Sequence, residues 1–459
     1  MIERFTVPDE LTCYYDRKCE PANVHLEARI AGRLDEAAVR AAVRAVLASE
    51  PRLLTRRVLA RNWQRSYFWE FPVTLGADPL QAVTYADQAG LDRQRGAFLS
   101  DSPPLGVAPP LMFLLASGPG GDWLILNAHH ACFDGLSCLR LLRQVAVEYG
   151  TRVANTNSAA NTGPVATAGL VADVGPAARR VAPTDSAPAG KTRAAAKIGH
   201  DAAERPVRSR RPRAAITARI AQGRGGASAL PGYGAHLLTW DGLAVTDSLR
   251  SAGASLNDLL IVALMITIRD WNESRGARRD LIRITMPVGN MDQADATGKW
   301  ANLSRLTTIT ARVPAGTQPA ELIRDVARQT GYAKQHPGPQ VDLASRALVA
   351  TPVPVAVKRM LLRAALRVAG PLFCDTSLVS NIGVIDEIEF GSDQAAEVWF
   401  STSAHMPRGL SLGAVTAGGR LRLACRYRRS LFSSADAAEF AARYVKVLDE
   451  FTGQEAARR

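Results

Sequence analysis

Between Thr151 and Ala229 the chain runs for 79 residues without a single Phe, Tyr or Trp. The stretch is Ala, Arg, Pro, Gly, Ser and Thr, and it cannot bury enough apolar surface to offset the entropy of ordering it. It therefore reads as a basic flexible linker, 151–229, between two pieces of ordinary domain size, 1–150 and 230–459. It also holds 13 Lys/Arg against 4 Asp/Glu, most of the formal +13 of the whole chain. The high basicity thus says little about the folded parts. The Arg205–Arg213 cluster offers a grip for an acidic partner; the plainer reading is a solvated tether. Aromatics at 6% argue against a base-stacking nucleic-acid binder, and no nucleic acid is expected.

Both flanking pieces mix strand and helix patterns. Val24–Ile30 alternates apolar and polar residues, and Asp35 precedes a helical Ala/Val/Leu stretch, 37–47. Leu111–Ala116 and Trp123–Asn127 predict two buried strands around a Gly-Pro-Gly-Gly turn. A helix over 136–149 is predicted to stop at Gly150. In the second piece, strands are expected at 235–241, 281–288, 303–313, 376–382, 410–415 and 420–427. Asp247 is expected to cap a short helix and Ser255 a longer one through Asn272, with further helices at 318–330, 355–368 and 434–451.

The chemistry-bearing run is Asn127-Ala-His129-His130-Ala-Cys-Phe-Asp134-Gly135. It falls where a buried strand ends and a helix begins. A neutral imidazole is the usual general base near neutral pH, and a strand end holds it rigidly. A carboxylate at Asp134 suits a helix start, where free N–H groups and the helix dipole favour it. Gly135 lets backbone approach closely. Taken singly, His129 reads as a structural histidine and Asp134 as an N-cap. His130 with Asp134 as metal ligands would need a third ligand, and no His-rich partner segment exists, so no metal is expected. Taken together, the residues suit removal of a proton from a hydroxyl or amine that then attacks an acyl carbonyl.

The pattern His129-His130-x-x-x-Asp134-Gly135 resembles the signature of the condensation-type, CoA-dependent acyltransferase superfamily, which includes nonribosomal peptide condensation domains, polyketide-associated acyltransferases and wax ester synthases. Leu256-Asn257-Asp258-Leu259-Leu260 resembles a helix of that group, Met286-Pro287-Val288 a strand end, and Ser380-Asn381-Ile382-Gly383 a strand of its second lobe. The resemblance implies an α/β fold of two chloramphenicol-acetyltransferase-like lobes forming a pseudo-dimer with a central tunnel. It implies His130 as general base and Asp134 as a structural residue paired with an arginine. His129, Gly135 and Asn381 would support the site. It implies no resident cofactor: acyl-CoA or acyl-phosphopantetheine would be co-substrate, CoA or a carrier protein the donor, and a small molecule or lipid the acceptor, in specialised lipid, polyketide or peptide metabolism. The alternative is a non-catalytic lobe pair that binds a carrier protein or partner enzyme. Two departures stand out: Gly289-Asn290 follows Pro287-Val288 where an Arg is usual, and Trp300-Ala301-Asn302 stands in place of a Gly-Asn pair.

Val355–Val368 predicts a basic amphipathic helix with Arg359, Arg363 and Arg367 one turn apart. Its sharper readings are docking of an acidic carrier protein, CoA phosphates, or peripheral contact with an anionic membrane surface. Asp247-Ser248-Leu249 faintly resembles a phosphopantetheine attachment site. No phosphate-binding loop, dinucleotide-binding glycine run or Gly-x-Ser-x-Gly elbow occurs. Six cysteines without Cys-x-x-Cys spacing, and no secretory start, predict a soluble protein of a reducing, cytoplasmic compartment. The sequence does not set an oligomeric state.

Overall fold

The computed structural model describes residues 1–161 (except 19, 60 and 62), 216–225, 232–288, 300, 302, 304–373, 375–391 and 395–453. The greater part of the predicted linker, including the Arg205–Arg213 cluster, lies outside the described residues.

The polypeptide forms two lobes, each built on a six-stranded sheet. Strands β2 (Asn23–Ile30), β5 (Leu80–Thr84), β6 (Leu111–Gly118) and β7 (Gly121–His129) belong to the first sheet. Strands β8 (Tyr233–Trp240), β9 (Leu281–Val288), β10 (Arg305–Arg312), β11 (Ser377–Val384), β14 (Leu410–Ala417) and β15 (Arg420–Arg428) make the second. The first sheet is completed from the far half of the chain by β12 (Ile388–Glu389) and β13 (Ala395–Thr402), giving the order β12-β13-β2-β7-β6-β5. The second sheet runs β10-β9-β11-β14-β15-β8. A small sheet, order β1-β4-β3, joins β1 (Ile2–Arg4), β3 (Arg56–Arg57) and β4 (Phe68–Glu70). The paired α/β lobes agree with the architecture that the resemblance implies.

Helices α1 (Val7–Tyr15), α2 (Glu36–Ser49), α3 (Gln88–Leu99) and α4 (Gly135–Asn161) belong to the first lobe. Helices α5 (Val245–Ser251), α6 (Leu256–Glu273), α7 (Pro319–Gln335), α8 (Leu343–Ala350), α9 (Val355–Phe373) and α10 (Ser434–Thr452) follow. The strongest start signals hold. Asp35 accepts from Ala38 N at 2.6 Å, and Ser255 with Asp258 forms a capping box on α6. From Asp258 to Ile268 every residue of α6 is buried, so the longest apolar run in the sequence is the central core helix of the second lobe. Among the described residues no single helix is long and apolar enough to cross a membrane.

Two local expectations are corrected. Gly150 does not end α4, which continues to Asn161. A Cβ there would stand 3.3 Å from Gly391 N, so this glycine answers a close approach rather than a stop. Asp247 does not cap α5 but sits inside its first turn, paired with Arg250, because the helix already begins at Val245 on carbonyls of Gly242 and Leu243. Residues 216–225 add to the second lobe: Ala218 N donates to Leu281 O at 2.7 Å, and Trp271 Nε1 to Ala221 O at 2.8 Å.

The lobes meet where β13 lies against β14. A Cβ on Gly413 would fall 1.8 Å from the Phe400 carbonyl oxygen, so only glycine lets the two sheets touch there. Ser411 Oγ donates across the same seam to Thr402 O at 2.8 Å.

Candidate functional site

Strand β7 is buried along its whole length and delivers His129 at its last residue and His130 just beyond. The backbone is fixed on both sides: His129 N donates to Pro110 O at 3.0 Å and His130 N to Ala22 O at 2.8 Å. The chain then turns, with Cys132 N and Phe133 N both reaching His129 O, and enters α4 at Gly135.

Within this turn His130 Nδ1 lies 3.0 Å from the Phe133 carbonyl. A carbonyl only accepts, so Nδ1 carries the hydrogen and Nε2 holds the lone pair. Enclosure by protein lowers the His130 pKa below its ordinary value, against the opposing pull of the Phe133 carbonyl and Asp134; nearby His129 adds to the lowering. The ring is therefore neutral at neutral pH, with its lone pair on Nε2. It borders a cavity of about 2090 Å³ whose wall also includes Gly135, Ser380, Phe400 and Thr402. That wall draws on both halves of the chain.

Each predicted site residue can now be placed. His129 is buried; its Nδ1 accepts from Ala131 N at 3.1 Å and its Nε2 stands 3.5 Å from Asp16 Oδ2. Asp16 in turn accepts from Ala22 N at 2.9 Å. Burial alone would raise the Asp16 pKa, but His129, Ala22 and Ser102 together bring it below the usual carboxylate value. His129 thus braces the strand end rather than facing the cavity. Asp134 is buried and accepts from Ser137 N at 2.9 Å, capping α4. The position after Pro287-Val288, where an arginine partner would be sought, lies outside the described residues. Gly135 sits in a tight place: a Cβ would press on the Phe400 ring at 2.8 Å and on Ile382 Cγ2 at 3.0 Å. Asn381 joins two of the weaker sequence motifs, donating to Asn257 Oδ1 at 2.7 Å and accepting from Gly383 N at 2.8 Å. It shapes the second lobe behind the cavity and is not among the residues of the cavity wall described.

Sequence reasoning missed Asn302. Its side-chain amide donates to the His130 carbonyl at 2.9 Å, and its own backbone carbonyl accepts from Gln340 Nε2 at 3.1 Å. The only signal was its place in Trp300-Ala301-Asn302. Nearby, Arg140 stacks over the buried Trp300 ring at 4.5 Å, a second tie between α4 and this segment.

No protein-family profile matches the chain. Two curated proteins of Mycobacterium tuberculosis, "Uncharacterized protein Rv2305" (strain H37Rv) and "Uncharacterized protein MT2362" (strain CDC 1551), are each 30% identical over 458 residues, covering 97% of this chain and 98% of theirs. Among solved structures, the first condensation domain of the CDA synthetase superposes with a TM-score of 0.60 at 13% identity over 98% of this chain and 96% of that one. The starter condensation domain of rhizomide synthetase RzmA, a mutant in complex with C8-CoA, gives 0.59 at 11% identity over 99% and 95%. SgcC5 from Streptomyces globisporus gives 0.56 at 15% over 98% and 99%. The chain belongs to the same family as the two mycobacterial proteins, and its fold is that of these condensation-domain structures.

Proposed function

We propose that the protein is an acyltransferase. It moves an acyl group from a CoA or carrier-protein thioester to a hydroxyl or amine, in specialised lipid, polyketide or peptide metabolism. One observation carries this reading: the His130 ring borders the cavity with Nδ1 tied to the Phe133 carbonyl, which leaves Nε2 as the base.

In the proposed reaction Nε2 takes the proton of the acceptor O–H or N–H as that atom attacks the thioester carbonyl. The tetrahedral intermediate then collapses, the C–S bond breaks, and the imidazolium returns the proton to the leaving thiolate. No covalent acyl-enzyme is required. Holding donor and acceptor together supplies most of the acceleration, and the positioned base adds about 10²–10⁴-fold. Asp134 and His129 act through backbone shape, and Gly135 keeps the wall clear beside Phe400.

The fold alone does not select the reaction, so the test is direct. Purified protein with candidate acyl thioesters and acceptors, followed by mass spectrometry, should yield ester or amide plus free thiol. His130→Ala should slow it by about 10²–10⁴-fold. A protein that binds a cognate carrier tightly, yet turns over no thioester across a broad acceptor panel, would instead be a non-catalytic binding member.

A further inference from the structure

The basic helix α9 is only lightly packed. Val355 and Lys358 are buried, whereas Met360, Leu361, Arg367 and Val368 stand in solvent. Beside it lie Gln64 and Arg65, tied on by Val355 N donating to Gln64 O at 2.8 Å and Lys358 Nζ to Arg65 O at 2.7 Å. Leu59 (91%) and Trp63 (69%) are exposed, and neighbouring α8 exposes Leu343 (82%). Leu343, Met360 and Val368 lie on the cavity wall, and Leu59 and Trp63 line an adjoining hollow that shares Arg61 with it. Isolated exposed hydrophobics are ordinary, but a group of them round a cavity mouth marks an interaction surface.

The same face is rich in cations. Arg61, Arg359, Arg363 and Arg367 border the cavity, and none has a carboxylate partner among the described residues. Arg363 feels the like charge of Arg359 and Arg17. Of the carboxylates on that wall, Glu20 pairs with Arg17 and Arg428, while Asp16, Asp342 and Asp375 accept hydrogen bonds from Ala22 N, Ser345 and Thr285. Eight Arg or Lys residues on the wall stand against four carboxylates, so the surface carries an excess of positive charge beside Leu343, Met360 and Val368.

We propose that this face docks on an anionic lipid surface. Trp63, Leu343 and Val368 would enter the headgroup layer and the arginines would meet lipid phosphates. The cavity that holds His130 would then open toward the bilayer. A soluble polyphosphate would need the charges but not the apolar side chains, and an apolar protein partner would need the reverse. The combination fits an interfacial helix on acidic lipid. This inference is independent of the chemistry proposed for His130.

The test is co-sedimentation of the full chain with phosphatidylcholine vesicles, with and without one-third phosphatidylglycerol. Binding should require the anionic lipid. It should fall at least tenfold in Arg363→Glu/Arg367→Glu, and also in Trp63→Ser/Leu343→Ser, each checked for an unchanged melting temperature. The basic 151–229 segment is the same in every variant and so cannot account for a difference. Bromine-labelled lipid should quench wild-type fluorescence more than that of Trp63→Phe, and His130→Ala should bind like wild type. Equal binding to the two vesicle types, or patch variants that bind as well as wild type, would overturn the proposal. So would a preference for CoA or an acidic carrier protein over vesicles in competition.

Discussion

The side-chain amide of Asn302 holds the main-chain carbonyl of His130 at 2.9 Å, so a residue of the second half of the chain fixes the turn that carries this imidazole. Removing that donor leaves a carbonyl without this partner, a loss of about 1–3 kcal/mol. Asn302→Ala should lower turnover about tenfold or more with a small change in melting temperature. Asn302→Asp should not restore it, because a carboxylate cannot donate. Steady-state kinetics beside thermal denaturation separates the two effects.

The proposed base predicts a one-sided pH profile. The His130 pKa lies below the ordinary 6.5 because the ring is enclosed. Activity should therefore rise with pH through that lowered value and stay level near neutrality. His130→Ala should cost about 10²–10⁴ in kcat. A profile still climbing above pH 7 would point to a different titrating group.

His405 offers a stability test away from the chemistry. Burial, with Arg408 and Arg426 adding to it, pushes this imidazole down to about 3, and its Nε2 donates to Glu20 O at 3.0 Å. Below its unfolded value of about 6.5 the unfolded chain binds the proton and the folded protein does not. Its contribution is thus fully present above that pH and is lost progressively as pH falls toward 3. His405→Gln should flatten the decline of stability between about pH 6.5 and 3 relative to wild type, read by urea denaturation at several pH values.

Lys358 and Glu10 are both buried, 3.7 Å apart, joining α9 to α1. Lys358 Nζ also donates to Val349 O at 2.6 Å, and Tyr14 donates to Glu10. Lys358→Met strands a buried carboxylate and should cost about 3–5 kcal/mol. The pair Lys358→Met/Glu10→Gln should recover much of that loss. Melting temperatures of the two proteins decide it.

At Gly413 a methyl group would collide with the Phe400 carbonyl, which cannot move without breaking β13. Gly413→Ala should destabilise the protein severely or abolish soluble expression. Gly135→Ala presses on a side-chain ring instead and should keep the fold while reducing activity. Expression yield and turnover of the two variants test this ordering.

Much of this organisation was legible in the sequence because its signals are local. Alternation in Val24–Ile30, the capping residues Asp35 and Ser255, and the glycine-rich hairpin turns each act within a few residues. The resemblance carried by the joint pattern at 129–135 implied the two-lobe fold. What escaped was non-local or faintly marked. Strand β13 contains the apolar run Val398-Trp399-Phe400, but its partner β2 lies about 370 residues earlier, and nothing local announces that pairing. Helix α1 did carry a signal, Thr6-x-x-Asp9 with Pro8 in its first turn, and was not recognised. Asn302 could not be singled out, because its value lies in which carbonyl it reaches.

The donation of β13 to the first sheet has a consequence for how such a protein is inherited. A gene truncated after residue 161 would encode a first sheet missing its outer two strands, with the backbone of β2 bared along one side and open to self-association. The first lobe therefore depends on strands encoded more than 200 residues beyond the rest of its sheet.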